Sequence, residues 1–349
     1  IGLRLSEKNT LKISSIDTGS FMHDVIDKFF DEIKLQGLNL KNIEDEEIEK
    51  IIEEIINEKL NLNKNYIFSS TPKYKVLARR LKRVVLKSMK YIIDSLKYSD
   101  FEVLGNEVEF KDQKEYKPIE ISLDDGKKLE VTGKIDRIDI GKLSGEKYIR
   151  IIDYKSSIKN IDLNEVYAGL QIQLLTYLDA VCKEENVMPA GVLYFNLIDP
   201  IIKSSKSLTK EEIEEEIRKK FKMQGLVVAD VEVVKMMDKR LESGASNIVP
   251  VYLDKEGKLS NSRSSTVTKY QFEYLQKYMN KIIKQIAKEI LTGNIELKPY
   301  YSVKNKKTPC EYCIYKSICN FNQGGCKNDY RYIGNMDKQI VLEMIKEEI

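Results

Sequence analysis

The sequence predicts an α/β fold in which a mixed β-sheet is flanked by helices. Hydrophobic residues make up 42% of the 349 residues and charged residues 32%, which is typical of a globular chain with a sizeable core. Apolar residues recur at helical spacing before residue 100 and again after residue 205. Between these regions, short alternating segments are separated by Asp-Gly and Ser-Gly turns, which is the pattern of strands. Strands between helical regions indicate a sheet enclosed by helical layers.

We expect residues 1–99 to form an N-terminal helical part. A first helix follows the capping residues at Asp17 to Ser20 and carries apolar residues at helical spacing from Phe21 to Ile33. A second helix is predicted over 45–59, and Pro72 opens a third with an apolar stripe along one side.

Residues 100–205 are predicted to hold the sheet, and residues 206–349 a helical C-terminal extension. Strands are expected near 101–110, 117–123, 128–140, 147–155 and 191–198. Helices are expected at 164–184, 209–222 and 266–292, with a loop or hairpin at 243–265. Because no apolar run approaches the roughly 20 residues of a membrane span and no signal-peptide pattern opens the chain, we expect a cytoplasmic protein.

The net charge of +3 is distributed unevenly. An acidic run at 44–58 precedes a basic run at 73–90 that contains no acidic residue. The basic residues are Lys73, Lys75, Arg79, Arg80, Lys82, Arg83, Lys87 and Lys90. Such a run is usually a solvated helix face, but this density of Lys and Arg also attracts a phosphate backbone.

A carboxylate–lysine pair occupies the end of an otherwise apolar strand. Asp153 and Lys155 are two residues apart, so they point to the same face, roughly 6.7 Å apart along the chain. If the preceding strand forms a hairpin with this one through Gly141–Gly145, Asp136 and Asp153 converge. Two converging carboxylates repel unless a cation lies between them, and hard oxygen ligands favour Mg²⁺ or Mn²⁺. Such a metal activates water for phosphodiester hydrolysis, although a single D-x-K is common and by itself indicates only a surface ion pair.

Three further polar residues have a structural as well as a functional interpretation. Gln173 and Tyr177 share one face of a predicted helix, where half-buried polar tips are the simpler interpretation. His23 is the only histidine, and a lone histidine is more often structural than a ligand, although imidazole suits manganese or a mixed oxygen–nitrogen site.

The order of these motifs resembles the RecB-type branch of the PD-(D/E)xK nuclease superfamily. The chain reads G-x-x-x-H, G-x-x-D-R-x-D, D-Y-K and Q-h-x-x-Y between Gly19 and Tyr177. The resemblance implies a restriction-endonuclease-like core with helical additions at both ends. It also implies functional residues. The metal ligands would be His23, Asp136, Asp153 and the carbonyl of Tyr154; the catalytic lysine would be Lys155; and the residues that support the site and the DNA would be Gln173 and Tyr177. Asp139 lies outside the usual metal set and is treated as structural.

Four of the five cysteines are clustered near the C-terminal end, at Cys310, Cys313, Cys319 and Cys326. Cys182 falls on the buried side of its predicted helix and is interpreted as a small core residue. In a cytoplasmic protein the cluster favours metal binding, either of zinc or of an iron–sulfur centre.

The cysteine region and nearly the whole chain are similar to the AddB family of AddAB helicase–nuclease subunits. In that family three C-terminal cysteines and one upstream cysteine hold a [4Fe–4S] cluster. Cys310, Cys313 and Cys319 match, but no cysteine precedes Cys182. We therefore expect the C-terminal nuclease portion of a larger subunit, starting just after the missing ligand, with an absent, incomplete or labile cluster. The family pattern gives no support for Cys326 as the substitute.

The resemblance implies an exonuclease that cuts single-stranded DNA, on the 5′-ended strand, during double-strand break processing and recombinational repair. An AddA-like subunit would be the partner, and Arg79, Arg80, Lys82 and Arg83 would contact DNA. No G-x-x-x-x-G-K-[ST] loop occurs, so ATP hydrolysis is not expected from this chain. The alternatives are a non-catalytic DNA-binding or assembly module, and a RecB-type nuclease of CRISPR adaptation.

Overall fold

A computed structural model describes residues 15–61, 67–124, 126–185, 187–319, 321 and 329–349. None of the helices in these ranges is long and apolar enough to cross a membrane. The chain packs as two compact units. The first is formed by Ile1–Val108, Lys134–Asn160 and Ala190–Thr266, and the second by Glu109–Gly133, Ile161–Pro189 and Val267–Ile349. Because the units interleave along the chain, their boundaries do not coincide with residues 99 and 205, which divide the segments expected from the sequence.

The helices are α1 (Ser15–Leu35), α2 (Asp45–Asn61), α3 (Ile67–Ser70), α4 (Pro72–Lys97), α5 (Leu163–Tyr167), α6 (Gln173–Glu185), α7 (Lys210–Lys220), α8 (Val231–Met237), α9 (Lys269–Leu291), α10 (Lys316–Cys319) and α11 (Lys338–Glu347). The strands are β1 (Glu102–Phe110), β2 (Ile119–Ser122), β3 (Lys128–Val131), β4 (Gly133–Leu143), β5 (Glu146–Lys155), β6 (Met188–Asn196), β7 (Gln224–Val228), β8 (Gly244–Ala245), β9 (Tyr252–Leu253), β10 (Thr266–Val267), β11 (Tyr300–Ser302) and β12 (Arg331–Ile333).

A six-stranded sheet in the order β1-β4-β5-β6-β7-β10 lies largely in the first unit. β4 pairs antiparallel with β5, and β6 pairs antiparallel with β7. β5 and β6 are nearly continuous buried runs, as expected for central strands covered on both faces. The predicted mixed sheet flanked by helices is confirmed.

The three N-terminal helices predicted from the sequence are present as α1, α2 and α4, which pack against one another. The expected start of the first helix was wrong, because α1 begins at Ser15 and Asp17 to Ser20 lie within it. The apolar stripe of α1 is buried from Phe21 to Ile33. α4 begins with Pro72 and is capped by Thr71, whose hydroxyl accepts the amide N–H of Tyr74.

The β4–β5 hairpin turns more tightly than the Gly141–Gly145 loop expected from the sequence. Pairing continues to Leu143 opposite Glu146, and the turn consists of Ser144 and Gly145, both with positive φ. Gly141 lies within β4, where a Cβ atom would come within 2.8 Å of Met236. Gly141 therefore lies in close contact with Met236 and Phe101 and takes no part in the turn.

Two predicted elements are each divided in the structure. The helix expected at 164–184 is broken into α5 and α6, because Gly169 (φ 76°) and Gln171 (φ 47°) adopt left-handed conformations between them. The strand expected at 128–140 is divided into β3, which pairs with β2, and β4, which joins the large sheet. The segment 243–265, expected to be a loop or hairpin, contains the short antiparallel pair β8–β9.

In the second unit, α9 packs against α6 and α11, and α11 also packs against α5. The two short strands β11 and β12 pair in parallel. Between them in the chain lie a 3₁₀ turn at Pro309–Glu311, which contains Cys310, and helix α10, which ends at Cys319.

Candidate metal centre

Three side chains from three different elements converge in the first unit. His23 of α1, Glu107 of β1 and Asp136 of β4 bring one ligand atom each to within 4.8 Å of one another. His23 Nδ1 lies 3.4 Å from Asp136 Oδ2 and 3.8 Å from Glu107 Oε1. In the part of the chain that the structure describes, this is the group of three or more His, Cys, Asp or Glu side chains arranged to hold a metal ion.

The main chain of Tyr154 faces the same place. In the β4–β5 pairing, Arg137 lies opposite Ile152. Just beyond this pair, the Tyr154 amide N–H donates to the Asp136 carboxylate at 2.7 Å. His23 Nε2 donates to the carbonyl oxygen of Tyr154 at 2.8 Å. The carbonyl expected to act as a ligand therefore lies beside His23 and Asp136.

Asp153 and Lys155 form a close ion pair at the end of β5. Lys155 Nζ lies 2.6 Å from Asp153 Oδ2, and the Asp153 side chain is almost fully buried. Burial raises the pKa of Asp153 to about 6, and repulsion from Asp136 adds to this effect against the attraction of Lys155. Asp136 and Asp153 therefore lie close enough to repel each other, and Lys155 offsets part of this repulsion.

The carboxylates of Glu107 and Asp136 beside His23 favour a positive charge at this position. Burial would lower the pKa of His23, but hydrogen bonds and attraction from Asp136 and Glu107 outweigh burial and raise the pKa to about 10. Burial opposes ionisation of Glu107, yet hydrogen bonds from His23 and Lys134 lower its pKa. The imidazolium therefore supplies the positive charge between the carboxylates, and a metal would bind there by displacing its proton. Carboxylates, a carbonyl oxygen and one imidazole fit Mg²⁺ or Mn²⁺.

Sequence reasoning did not identify Glu107. This residue lies inside β1 with φ 48°, a conformation that residues other than glycine seldom adopt within a strand. Backbone strain of this kind occurs at functional sites. The neighbouring Gly105 was the available signal, because glycine inside a strand often marks an irregularity that redirects the next side chains.

Gln173 and Tyr177 belong to the second unit, where Gln173 Nε2 donates to Tyr177 Oη at 2.7 Å. The Tyr177 ring packs edge-on against Phe110, with 5.6 Å between centroids. Gly133 allows this packing, since its Cβ would come within 2.6 Å of the Phe110 ring. The two residues thus occupy one helix face, as their spacing predicted.

A cleft of about 1180 Å³ opens onto the candidate metal ligands His23, Glu107 and Asp136. Its wall includes the start of α1, Lys155 at the end of β5, and Arg80 of α4.

Some basic residues of α4 form ion pairs with acidic residues, and others do not. The paired residues are Lys82 with Glu53 (2.8 Å), Arg83 and Lys87 with Asp199 (2.6 and 3.2 Å), and Lys90 with Asp45 (3.0 Å). Arg79 and Arg80 are exposed and have no ion pair among the described residues.

The cysteines fall into two environments. Burial raises the pKa of the Cys182 thiol to about 12, which is consistent with a core residue. Cys310, Cys313 and Cys319 are free thiols, and the last two are exposed. The sulfur atoms of these three residues do not all lie within 4.8 Å of one another. Cys326 lies outside the described residues.

Comparison with known proteins shows the family to which the chain is similar. A sequence profile of the PD-(D/E)XK nuclease superfamily matches residues 2–320. Proteins named as the B-type subunit of an ATP-dependent helicase/deoxyribonuclease are similar over essentially the whole chain. That of Clostridium acetobutylicum is 38% identical over 354 residues, covering 100% of this chain and 30% of the relative. That of Clostridium novyi is 40% identical over 353 residues, covering 99% of this chain and 31% of the relative.

A relative from outside the genus Clostridium is also similar. The protein of the same name from Caldanaerobacter subterraneus subsp. tengcongensis is 37% identical over 355 residues, covering 99% of this chain and 30% of the relative. The chain thus spans about 30% of the length of the curated relatives it matches. These relatives confirm the resemblance to AddB-type proteins that the motifs predicted.

Proposed function

This chain belongs to the PD-(D/E)XK nuclease superfamily, and we propose that it hydrolyses phosphodiester bonds of single-stranded DNA with a divalent metal. The convergence of His23, Glu107 and Asp136 beside the Asp153–Lys155 pair carries this proposal. A non-catalytic module would not need three carboxylates gathered beside a histidine and a partly exposed lysine at a cleft.

The proposed ligands of Mg²⁺ or Mn²⁺ are His23, Asp136, Asp153, the carbonyl of Tyr154 and, in addition, Glu107. When bound there, the metal supplies polarisation of a phosphoryl oxygen and a bound water of lowered pKa. Lys155 is the proposed catalytic lysine. Its side chain is 29% exposed and its amino group is held by Asp153, so it can orient the attacking water and donate to the phosphate as negative charge develops. Gln173 and Tyr177 are proposed to support the site and the DNA.

The biological context rests on the relatives. They are named as subunits of an ATP-dependent helicase/deoxyribonuclease, and this chain matches about 30% of their length. We therefore infer an exonuclease for the 5′-ended strand in double-strand break processing and recombinational repair, with an AddA-like protein as partner. Cys310, Cys313 and Cys319 are proposed to contribute to a [4Fe–4S] cluster in the full subunit, and no step of the reaction is assigned to it.

A metal titration on end-labelled DNA tests the function. We expect the chain to shorten single strands when Mg²⁺ or Mn²⁺ is added and to leave them intact in EDTA. Strands labelled at the 5′ end and at the 3′ end are compared, and release of label should begin at the 5′ end. Binding of DNA without cleavage at any metal concentration would instead support a non-catalytic module. Cleavage from the 3′ end would reject the proposed polarity alone.

The basic helix offers a test of DNA contact. Arg80 lies in the cleft wall, whereas Lys82 on the same helix is held by Glu53. Arg80→Gln should therefore weaken binding of single strands of any sequence and lower the slope of log affinity against log salt by about 0.7. Fluorescence anisotropy in EDTA measures both quantities. Lys82→Gln is the matched control, and equal losses in the two variants would reject a specific role for Arg80.

A further inference from the structure

Three charged side chains are buried together in the β4–β5 hairpin. Asp139 lies between two arginines, with Arg137 Nε at 2.8 Å from Oδ1 and Arg150 Nε at 2.8 Å from Oδ2. All three residues are at most 1% exposed. The guanidinium of Arg150 lies over the Phe101 ring at 4.8 Å. We call Arg137, Asp139 and Arg150 the buried triad.

The buried triad is not explained by stability. Two arginines and one carboxylate leave one net positive charge in the core, and the terminal nitrogens of Arg150 make no hydrogen bond within the described residues. Desolvation of such groups is expensive, and replacing a buried ionic network by apolar residues is often neutral or stabilising. A second role should therefore account for these residues.

Tyr154 connects the buried triad to the candidate metal centre. Arg137 Nη1 donates to the Tyr154 hydroxyl at 3.2 Å, so the side chain is anchored in the triad. The amide N–H of the same residue donates to Asp136, and its carbonyl accepts from His23. Because Asp136 and Arg137 are consecutive on β4, one strand presents its carboxylate to the centre and its guanidinium to the opposite face.

We propose that the buried triad is a positioning assembly that fixes Tyr154, and with it the carbonyl oxygen and the neighbouring Asp153 that face the metal. This inference rests on the proposed function. Arg137, Asp139 and Arg150 touch neither metal nor substrate in this scheme. They act through the Tyr154 ring, whose anchoring sets the direction of its carbonyl.

Paired tyrosine variants test the proposal in the full 349-residue chain. Tyr154→Phe removes only the hydroxyl held by Arg137 and leaves the backbone carbonyl in place. Tyr148→Phe is the matched control on the same strand. The Tyr148 hydroxyl donates to Glu146, and Tyr148 lies roughly 20 Å from Tyr154 along β5. Mn²⁺ affinity is measured without DNA from the electron paramagnetic resonance signal of free Mn²⁺. We expect about tenfold weaker binding for Tyr154→Phe and parental binding for Tyr148→Phe.

Arg137→Met adds a second measurement. The double variant Arg137→Met/Tyr154→Phe should bind Mn²⁺ no more weakly than Arg137→Met alone, since both changes break the same contact. If Arg137→Met does not fold, the two tyrosine variants still decide. Equal Mn²⁺ affinity of Tyr154→Phe and the parent would overturn the positioning role and leave the proposed function standing. Absence of Mn²⁺ binding by the parent would overturn both.

Discussion

Replacing Lys155 by methionine is expected to slow metal-dependent DNA cleavage by about 10²–10³-fold, the usual effect of removing one donor that stabilises transition-state charge. The amino group of Lys155 is the cationic donor that the structure pairs with Asp153 at the cleft. Methionine keeps much of the length of the side chain and removes the charge. Single-turnover cleavage of a labelled strand at saturating Mg²⁺ measures the effect.

The expected loss is in the chemical step and not in metal binding. Mn²⁺ should still bind, because the ligands of the candidate centre are unchanged. Lys142→Met is the matched control, since Lys142 is an exposed lysine on the same hairpin. Unchanged cleavage by Lys155→Met, or equal losses in the two variants, would show that Lys155 is not the catalytic lysine.

Replacing Asp139 by alanine is expected to lower the free energy of unfolding by about 3–5 kcal/mol, because it leaves two buried guanidinium groups without their shared carboxylate. Urea unfolding followed by circular dichroism measures this change. The chain contains no tryptophan, so intrinsic tryptophan fluorescence is not available as a probe.

Glu53→Ala is the control for the loss of an ion pair at the surface. Its pair with Lys82 is partly exposed, so the expected change is at most about 1 kcal/mol. Replacing the whole buried triad, as Arg137→Met/Asp139→Leu/Arg150→Met, should recover most of the stability lost in Asp139→Ala. A loss below about 1 kcal/mol in Asp139→Ala would contradict the ionic account of this cluster.

Much of the fold could be predicted from local patterns. Helical spacing identified α1, α2 and α4, and period-two alternation between glycine turns identified the strands that carry Asp136 and Asp153. The placement of Asp136 near Asp153 followed from hairpin pairing alone. These features are determined by residues close together in the chain, which is why the sequence was sufficient.

Features that depend on distant contacts were not predicted. Glu107 becomes a candidate ligand because β1 lies beside β4 in the sheet, an order that no spacing in the sequence specifies. The break between α5 and α6 depends on Gln171, whose positive φ is unusual for its residue type. The ion pairs of Lys82 and Arg83 likewise depend on acidic residues distant in the chain, which are Glu53 and Asp199.

The ion pairs along α4 give the helix an electrostatic gradient that counting charges in the sequence does not show. Four of the eight basic residues, all in the later part of the run, have acidic partners. The four nearest the start of the helix, Lys73, Lys75, Arg79 and Arg80, have none among the described residues. The positive end of the helix dipole lies at that same end. An approaching polyanion is therefore steered toward the beginning of α4. Rising ionic strength should slow its association at salt concentrations that still leave the ion pairs in the later part of α4 intact.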